Sequence, residues 1–162
     1  MCSEVSCDDS PILRHPHCSQ DKRRCLIPAD GFFEWKKGPR SKQPFCFEVG
    51  DGSLFAFAGL WDRWLAPDGQ VIESCAILTT GANKVLEDVH DRMPVILPPE
   101  EYDLWLDPGI RDATTVLPLL QPFDPNLMRR FPVSTRVNLV TNDDQECSAP
   151  IDLPASPALL FD

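Results

Sequence analysis

The chain has 162 residues, 43% of them hydrophobic, and a formal net charge of −10 at pH 7. A chain of this length buries roughly two thirds of its unfolded surface, which fits one domain with its own core. No apolar run reaches the length of a membrane-spanning helix, and the opening MCSEVSCDDS lacks the cationic and apolar regions of a signal peptide. Seven cysteines, irregularly spaced and without a CxxC pair, argue against a secreted disulfide framework and for buried thiols. The expected location is intracellular.

The charge is unevenly spread. Residues 21–43 hold seven cations against three carboxylates, a net +4, whereas residues 44–162 carry a net −12. The average opposes attraction to polyanions, but a local basic face remains open beside the blander reading of an ordinary solvated surface.

In chain order, CLIP reads as a short strand, and PFCFEVGDGSLFAFAGLW reads as two β-rich runs joined into a hairpin by Gly50-Asp51-Gly52-Ser53. Pro67-Asp68-Gly69 is a further turn. QVIESCAILTT is extended, and its apolar end from Cys75 to Leu78 predicts a strand buried on both faces. ANKVLEDV has helical spacing at Val85 and Val89, RMPVIL is extended, and Pro98-Pro99-Glu100-Glu101 opens a helix through Tyr102 and Trp105. The proline-rich final third predicts loops with one strand near RRFPVSTRV and a terminal segment that wraps or frays. The fold class is β-rich α+β.

Three places carry chemistry. In RCLIPADGFFEW, Glu34 stands between Phe33 and Trp35; a cleft there would desolvate its carboxyl and suit it to acid/base work, while plain alternation would point Glu34 to water. In HDRMP, residues 90–94, His90 is suited to proton transfer and Arg92 to a phosphate, against the alternative of a capped helix end. Cys2, once Met1 is removed, would present an α-amine beside a thiol, a pair that converts an aldehyde into a thiazolidine; a cysteine that merely follows the initiator is the alternative. HPHC, residues 15–18, matches no zinc spacing, so no metal is expected. A cysteine-peptidase arrangement of Cys25 or Cys75 with His90 is disfavoured, because both thiols lie in apolar strand-like runs.

Taken together, RRCLIPADGFFEW, KQPFCFEV, FAFAGLWDRW, ESCAILTTGAN, HDRMPVILPPEEYDLWL and PVSTRVN with the later ND resemble the SOS response-associated peptidase (SRAP) family over about residues 23–150. The resemblance implies a β-rich α+β fold with a strongly bent mixed sheet and a few helices. It implies an abasic-site processing protein of DNA damage repair that senses abasic sites in single-stranded DNA. The family forms a covalent thiazolidine crosslink through an N-terminal cysteine exposed by autopeptidase activity. By the same resemblance Cys2 is the nucleophile, Glu34 deprotonates it, His90 moves protons during sugar ring opening, and Arg92, Thr79 and Thr80 lie near the flanking phosphate or lesion sugar. No cofactor and no metal are implied, the partner is abasic single-stranded DNA, and the location is cytoplasmic or nucleoid-associated.

The N-terminal side departs from the family. Members start Met-Cys-Gly-Arg and then run some tens of residues, including an Asn-Ala-Arg motif, before the segment that matches Arg24. Here about twenty unlike residues stand in that place. The expected layout is therefore a divergent leader at 1–22, a domain at 23–150 that is partial at its N-terminal side, and a tail at 151–162. A shortened chain that keeps the scaffold and binds DNA or a partner without catalysis is the competing expectation.

Overall fold

The computed structural model describes residues 2–6, 23–39 and 41–153, the first stretch by its backbone alone. The HPHC segment, most of the leader and the tail from residue 154 lie outside the described residues.

At Asp30-Gly31 the chain passes from a strand of one sheet to a strand of another. Before that point come β1 (Cys2–Ser6) and β2 (Arg24–Ala29); after it come β3 (Phe32–Lys37), β4 (Lys42–Val49), β5 (Phe55–Leu65) and β6 (Val71–Gly81). Two short strands follow, β7 (Arg92–Pro94) and β8 (Ile96–Leu97), then helix α1 (Tyr102–Leu106) and β9 (Met128–Pro132). The larger sheet has the order β1-β6-β5-β2, with β7 added to β6 and β8 to β5; β1 runs parallel to β6 and every other pair is antiparallel. The smaller sheet is β3-β4-β9. With one five-residue α-helix and several 3-10 turns among the described residues, the chain is α+β.

The turn at Gly50–Ser53 is present, with Gly50 at φ 59 and Gly52 at φ 92, a left-handed backbone that favours glycine. The expected hairpin is not. β4 pairs with β3 and β9, whereas β5 pairs with β2, β6 and β8, so the turn carries the chain from one sheet to the other. The reason lies in the phenylalanines. Phe45 and Phe47 of β4 and Phe55 and Phe57 of β5 are buried in one core cluster. Phe32 stacks on Phe47 at 5.2 Å between centroids and meets Phe57 edge-on at 5.8 Å. Phe32 and Phe47 are cross-strand partners in the smaller sheet, so the edge-on contact of Phe32 with Phe57 is the one that joins the two sheets.

Pro67-Asp68-Gly69 closes a true β5–β6 hairpin, with the Ala66 N–H donating to the Gln70 carbonyl at 2.8 Å and Gly69 at φ 88. Beyond Gly59 and Ile77 the two strands splay, and residues 92–97 fill the gap. β7 bonds β6, β8 bonds β5, and Val95 between them donates to Leu78 and accepts from Ala58. This wedge corrects the burial expected for β6: Cys75 to Ile77 are half-buried, and the buried stretch is Leu78–Thr80, where β7 covers the strand.

Residues 83–90 form hydrogen-bonded turns and not a regular helix, although Leu86 and Val89 are buried as helical spacing requires. Asn83 organises them. Its backbone carbonyl accepts from Leu86 and Glu87, its side-chain oxygen accepts from the Val85 N–H, and its amide donates to the Phe123 carbonyl at 2.8 Å. Asn83 thereby caps one turn and pins it to the loop before β9.

A second core surrounds Trp105, only 1% exposed, whose Nε1 donates to the Cys25 carbonyl at 2.9 Å. Arg24 returns the connection, donating to the Trp105 and Asp107 carbonyls at 2.6 Å each. The chain after β9 adds a single bridge, Val133 to Pro150, and Ile151 donates to Pro132. No helix of the described residues is long and apolar enough to cross a membrane. Because Trp105 fills the space between α1 and β2 and caps a strand carbonyl, Trp105→Ala is expected to cost about 3–5 kcal/mol. Urea unfolding should show this as a lower midpoint at nearly constant slope.

Candidate active-site cleft

Strand parity decides where Glu34 points. Phe32, Glu34 and Lys36 share one face of β3, and Phe32 is packed against the core, so Glu34 lies on the core-side face and Phe33 on the other. Phe33 instead borders a separate small cavity with Cys46. Glu34 is half-buried, its cross-strand partner is Phe45, and it lines a cleft of about 450 Å³. The opposite wall of that cleft is Glu87 to Asp91, which includes His90. Two residues separated by 56 positions are thus brought to one cavity.

His90 stands in a two-way contest for its Nδ1. The Arg92 backbone N–H donates to Nδ1 at 3.1 Å, which requires a bare nitrogen and puts the ring proton on Nε2. The Arg92 carbonyl at 3.2 Å and an Asp91 carboxylate oxygen at 3.3 Å can each accept a proton from the same nitrogen. The Nε2–H tautomer satisfies the first contact and a proton on Nδ1 the other two, so the ring has a partner at Nδ1 whichever way that nitrogen is used.

Arg92 is half-buried and donates from Nη2 to the Thr79 carbonyl at 2.7 Å and to the Thr79 hydroxyl at 3.2 Å. Thr79 and Thr80 are themselves 5% and 6% exposed, so both are buried, Thr79 against Arg92 and Thr80 on the other face of the strand. Cys2 is not brought to this cleft by the described backbone. It pairs with Cys75, whereas Arg92 pairs with Gly81. Six residues of strand separate the two levels, about 20 Å at ~3.3 Å per residue. Cys25 and Cys75 do not line the cleft either. Cys46 is buried on the far side of Phe45, and its thiol is pushed up to about 11 by burial first and then by the charges of Glu48 and Asp30.

The feature that sequence reasoning missed is the carboxylate of Asp88. It accepts from Lys36 Nζ at 2.6 Å and from both terminal nitrogens of Arg130, one of them at 3.1 Å. Arg130 also donates to the Val85 carbonyl at 2.8 Å and lies 5.5 Å from the ring centre of Phe45. One acid thereby ties the His90 turn to β3 and β9, two strands of the sheet that carries Glu34. The hydrogen bonds from Arg130 and then Lys36 hold its carboxyl well below the usual carboxylate range. Nothing local signals this, because its partners lie 42 and 52 residues away.

The SOS response associated peptidase (SRAP) family model matches residues 10–140. The chain belongs to the SRAP family. It is 42% identical over 139 residues to abasic site processing protein YoqW of Bacillus subtilis, a match covering 85% of this chain and 61% of that protein. To abasic site processing protein HMCES of Mus musculus it is 35% identical over 158 residues, covering 81% of this chain and 44% of that one. A crystal structure of a protein from Bacteroides thetaiotaomicron superposes with a TM-score of 0.81 at 29% identity, covering 91% of this chain and 65% of the other. The chain thus spans about three fifths of its bacterial relative. The SRAP match includes every element that builds the cleft, from β3 to β9.

Replacing Asp88 by Asn leaves the shape and removes the charge that Lys36 and Arg130 share. Since the folded carboxyl titrates below its unfolded value of ~3.9, its stabilisation is fully present above that pH and is lost as pH falls through the lower folded value. The gap between parent and Asp88→Asn is expected to be about 1 kcal/mol, the scale of a partly exposed ion-pair network. Chemical unfolding should find it constant from pH 7 to 5 and closing below pH 4.

Proposed function

We propose that this chain is an abasic-site processing protein that acts inside the cell on single-stranded DNA, with Glu34 and His90 as its proton-transfer groups. The observation that carries the reading is their shared cleft, reached by Glu34 from β3 and by His90 from the turn before β7. An abasic sugar equilibrates between a closed ring and an open aldehyde. His90 is suited to move the proton of the C1′ hydroxyl to the ring oxygen as the C1′–ring-oxygen bond breaks, and Arg92, braced by Thr79 and near Thr80, to hold the flanking phosphate.

In the covalent branch, Met1 is removed by hydrolysis, autocatalytically in the family's manner, which frees the α-amine of Cys2. The amine adds to C1′ of the aldehyde and water leaves, giving an imine. The Cys2 thiolate then adds to the imine carbon while the nitrogen takes up a proton, which closes the thiazolidine. Glu34 is the base that accepts the thiol proton. The pairing of Cys2 with Cys75 favours a second reading, in which the cleft binds the lesion reversibly and no crosslink forms.

The test is a denaturing gel of the protein incubated with an abasic single-stranded oligonucleotide. A heat-stable adduct is expected for the parent and none for Cys2→Ala, whose amine makes only a hydrolysable imine. Glu34→Gln is expected to slow adduct formation by roughly 10²–10⁴-fold. Its thermal unfolding should barely shift. Selective binding of abasic over intact strands without any adduct supports the reversible reading, and equal affinity for both with no adduct sinks the two together.

A further inference from the structure

We propose that Lys37 and Lys42 form a phosphate clamp at the mouth of the Glu34–His90 cleft, gripping the backbone of a single strand whose lesion sugar lies inside. The occupant of the cleft is taken from the reading above. The clamp itself rests on charge and geometry.

Most cations of the basic segment are already committed. Arg23 is paired with Asp62, Arg24 is spent on the carbonyls of Trp105, Asp107 and Ile110, and Lys36 is held by Asp88. Farther along, Arg129 is paired with Glu48 and Arg130 with Asp88. Of the described cations between residues 23 and 42, Lys37 and Lys42 alone have neither an ion pair nor a side-chain hydrogen bond. Both are exposed, and both line the cleft with Glu34 and His90.

Their placement is also costly unless something anionic joins them. Lys37 and Lys42 are directly opposite on the last rung of the β3–β4 ladder. Cross-strand partners have Cβ atoms about 5 Å apart, and like charges there repel. A tight turn, with the Gly38 N–H donating to the Ser41 carbonyl at 3.0 Å, keeps them from spreading. A phosphodiester seated between the two ammonium groups relieves that repulsion.

The cleft is polarised across its width. On the side facing the lysines stand Glu87 and Asp91, both exposed, while Asp88 is neutralised by Lys36 and Arg130. A phosphate is repelled from that wall and drawn to the lysine rim. An uncharged sugar meets no such penalty beside Glu34 and His90. The charge pattern therefore orients a strand with its backbone along the β3–β4 tip.

The test is fluorescence anisotropy with a labelled single-stranded oligonucleotide, intact and with one abasic site, across a salt series. Each phosphate neutralised on a single strand contributes about −0.7 to the slope of log K against log salt. The Lys37→Ala/Lys42→Ala protein is expected to lose about 0.7 of slope, the contribution of the one phosphate held between the two lysines, equally for both oligonucleotides, with no fall in thermal stability. The double arginine variant should keep the slope, and Lys84→Ala, an exposed cation off the cleft, should leave it unchanged. An unchanged slope in the double alanine variant, an equal loss in Lys84→Ala, or no binding by the parent at the lowest salt overturns the clamp. Equal affinity for the two oligonucleotides with a reduced slope instead removes the abasic-site reading and leaves the clamp standing.

Discussion

Asp88 holds one carboxylate between Lys36 and Arg130, a bridge that ties the turn carrying His90 to the sheet carrying Glu34. Glu34 belongs to the smaller sheet, whereas His90 belongs to a turn whose far end continues into β7 of the larger one. Nothing in the β ladders alone fixes the distance between them. The aromatic contact of Phe32 in the smaller sheet with Phe57 in the larger joins the two, but hydrophobic packing is not directional and leaves the edge of the interface adjustable. A charged, multiply hydrogen-bonded acid does have direction. Arg130 extends its reach by lying over Phe45, the cross-strand partner of Glu34, so the same cation touches the turn, the acid and the floor under the candidate base.

That economy bears on the charge of the whole protein. A chain with a net −10 is poorly suited to meet a polyanion, and internal use of Arg23, Arg24, Lys36 and Arg130 removes cations from the surface. Among the described residues, Lys37 and Lys42 are left side by side at the β3–β4 tip beside the cleft. A small number of well-placed cations on a negative body gives weak general attraction to DNA and a strong preference for one approach. Phosphate contacts position a strand and carry no information about the lesion. Under the proposed function, recognition of the damaged sugar falls to the interior of the cleft, where a normal nucleotide must also find room for its base.

The parts of this arrangement differ in how far the sequence reveals them. Glu34 and His90 are legible because each sits at a turn signal beside an apolar run, and their ordered motifs carry a family resemblance. The pairing of β4 with β9 and of β5 with β8 is not legible, since period-two alternation specifies which face a residue occupies and not which strand lies next to it. The same limit produced the expected β4–β5 hairpin: the glycine turn was readable, but its two arms enter different sheets. Asp88 looked like any solvated acid on a helical turn. Its role comes from residues 42 and 52 positions away, a separation that only the folded chain closes.

The remaining tension concerns β1, and strand geometry states what resolving it requires. β1 runs parallel to β6 with Cys2 level with Cys75, on the edge of β6 opposite the one that receives β5 and the β7 wedge. To bring Cys2 level with Gly81, and so with Arg92, β1 must advance six residues along that edge. Six is even, so the advance preserves which side chains face each side of the sheet, whereas an odd step would invert them all. The β7 strand occupies the other edge and does not stand in the way. An advance also shortens the shared ladder, because β6 ends at Gly81. Crosslinking by Cys2 therefore demands that attachment to the lesion offset the lost backbone hydrogen bonds, while reversible binding in the Glu34–His90 cleft demands no movement of β1 at all.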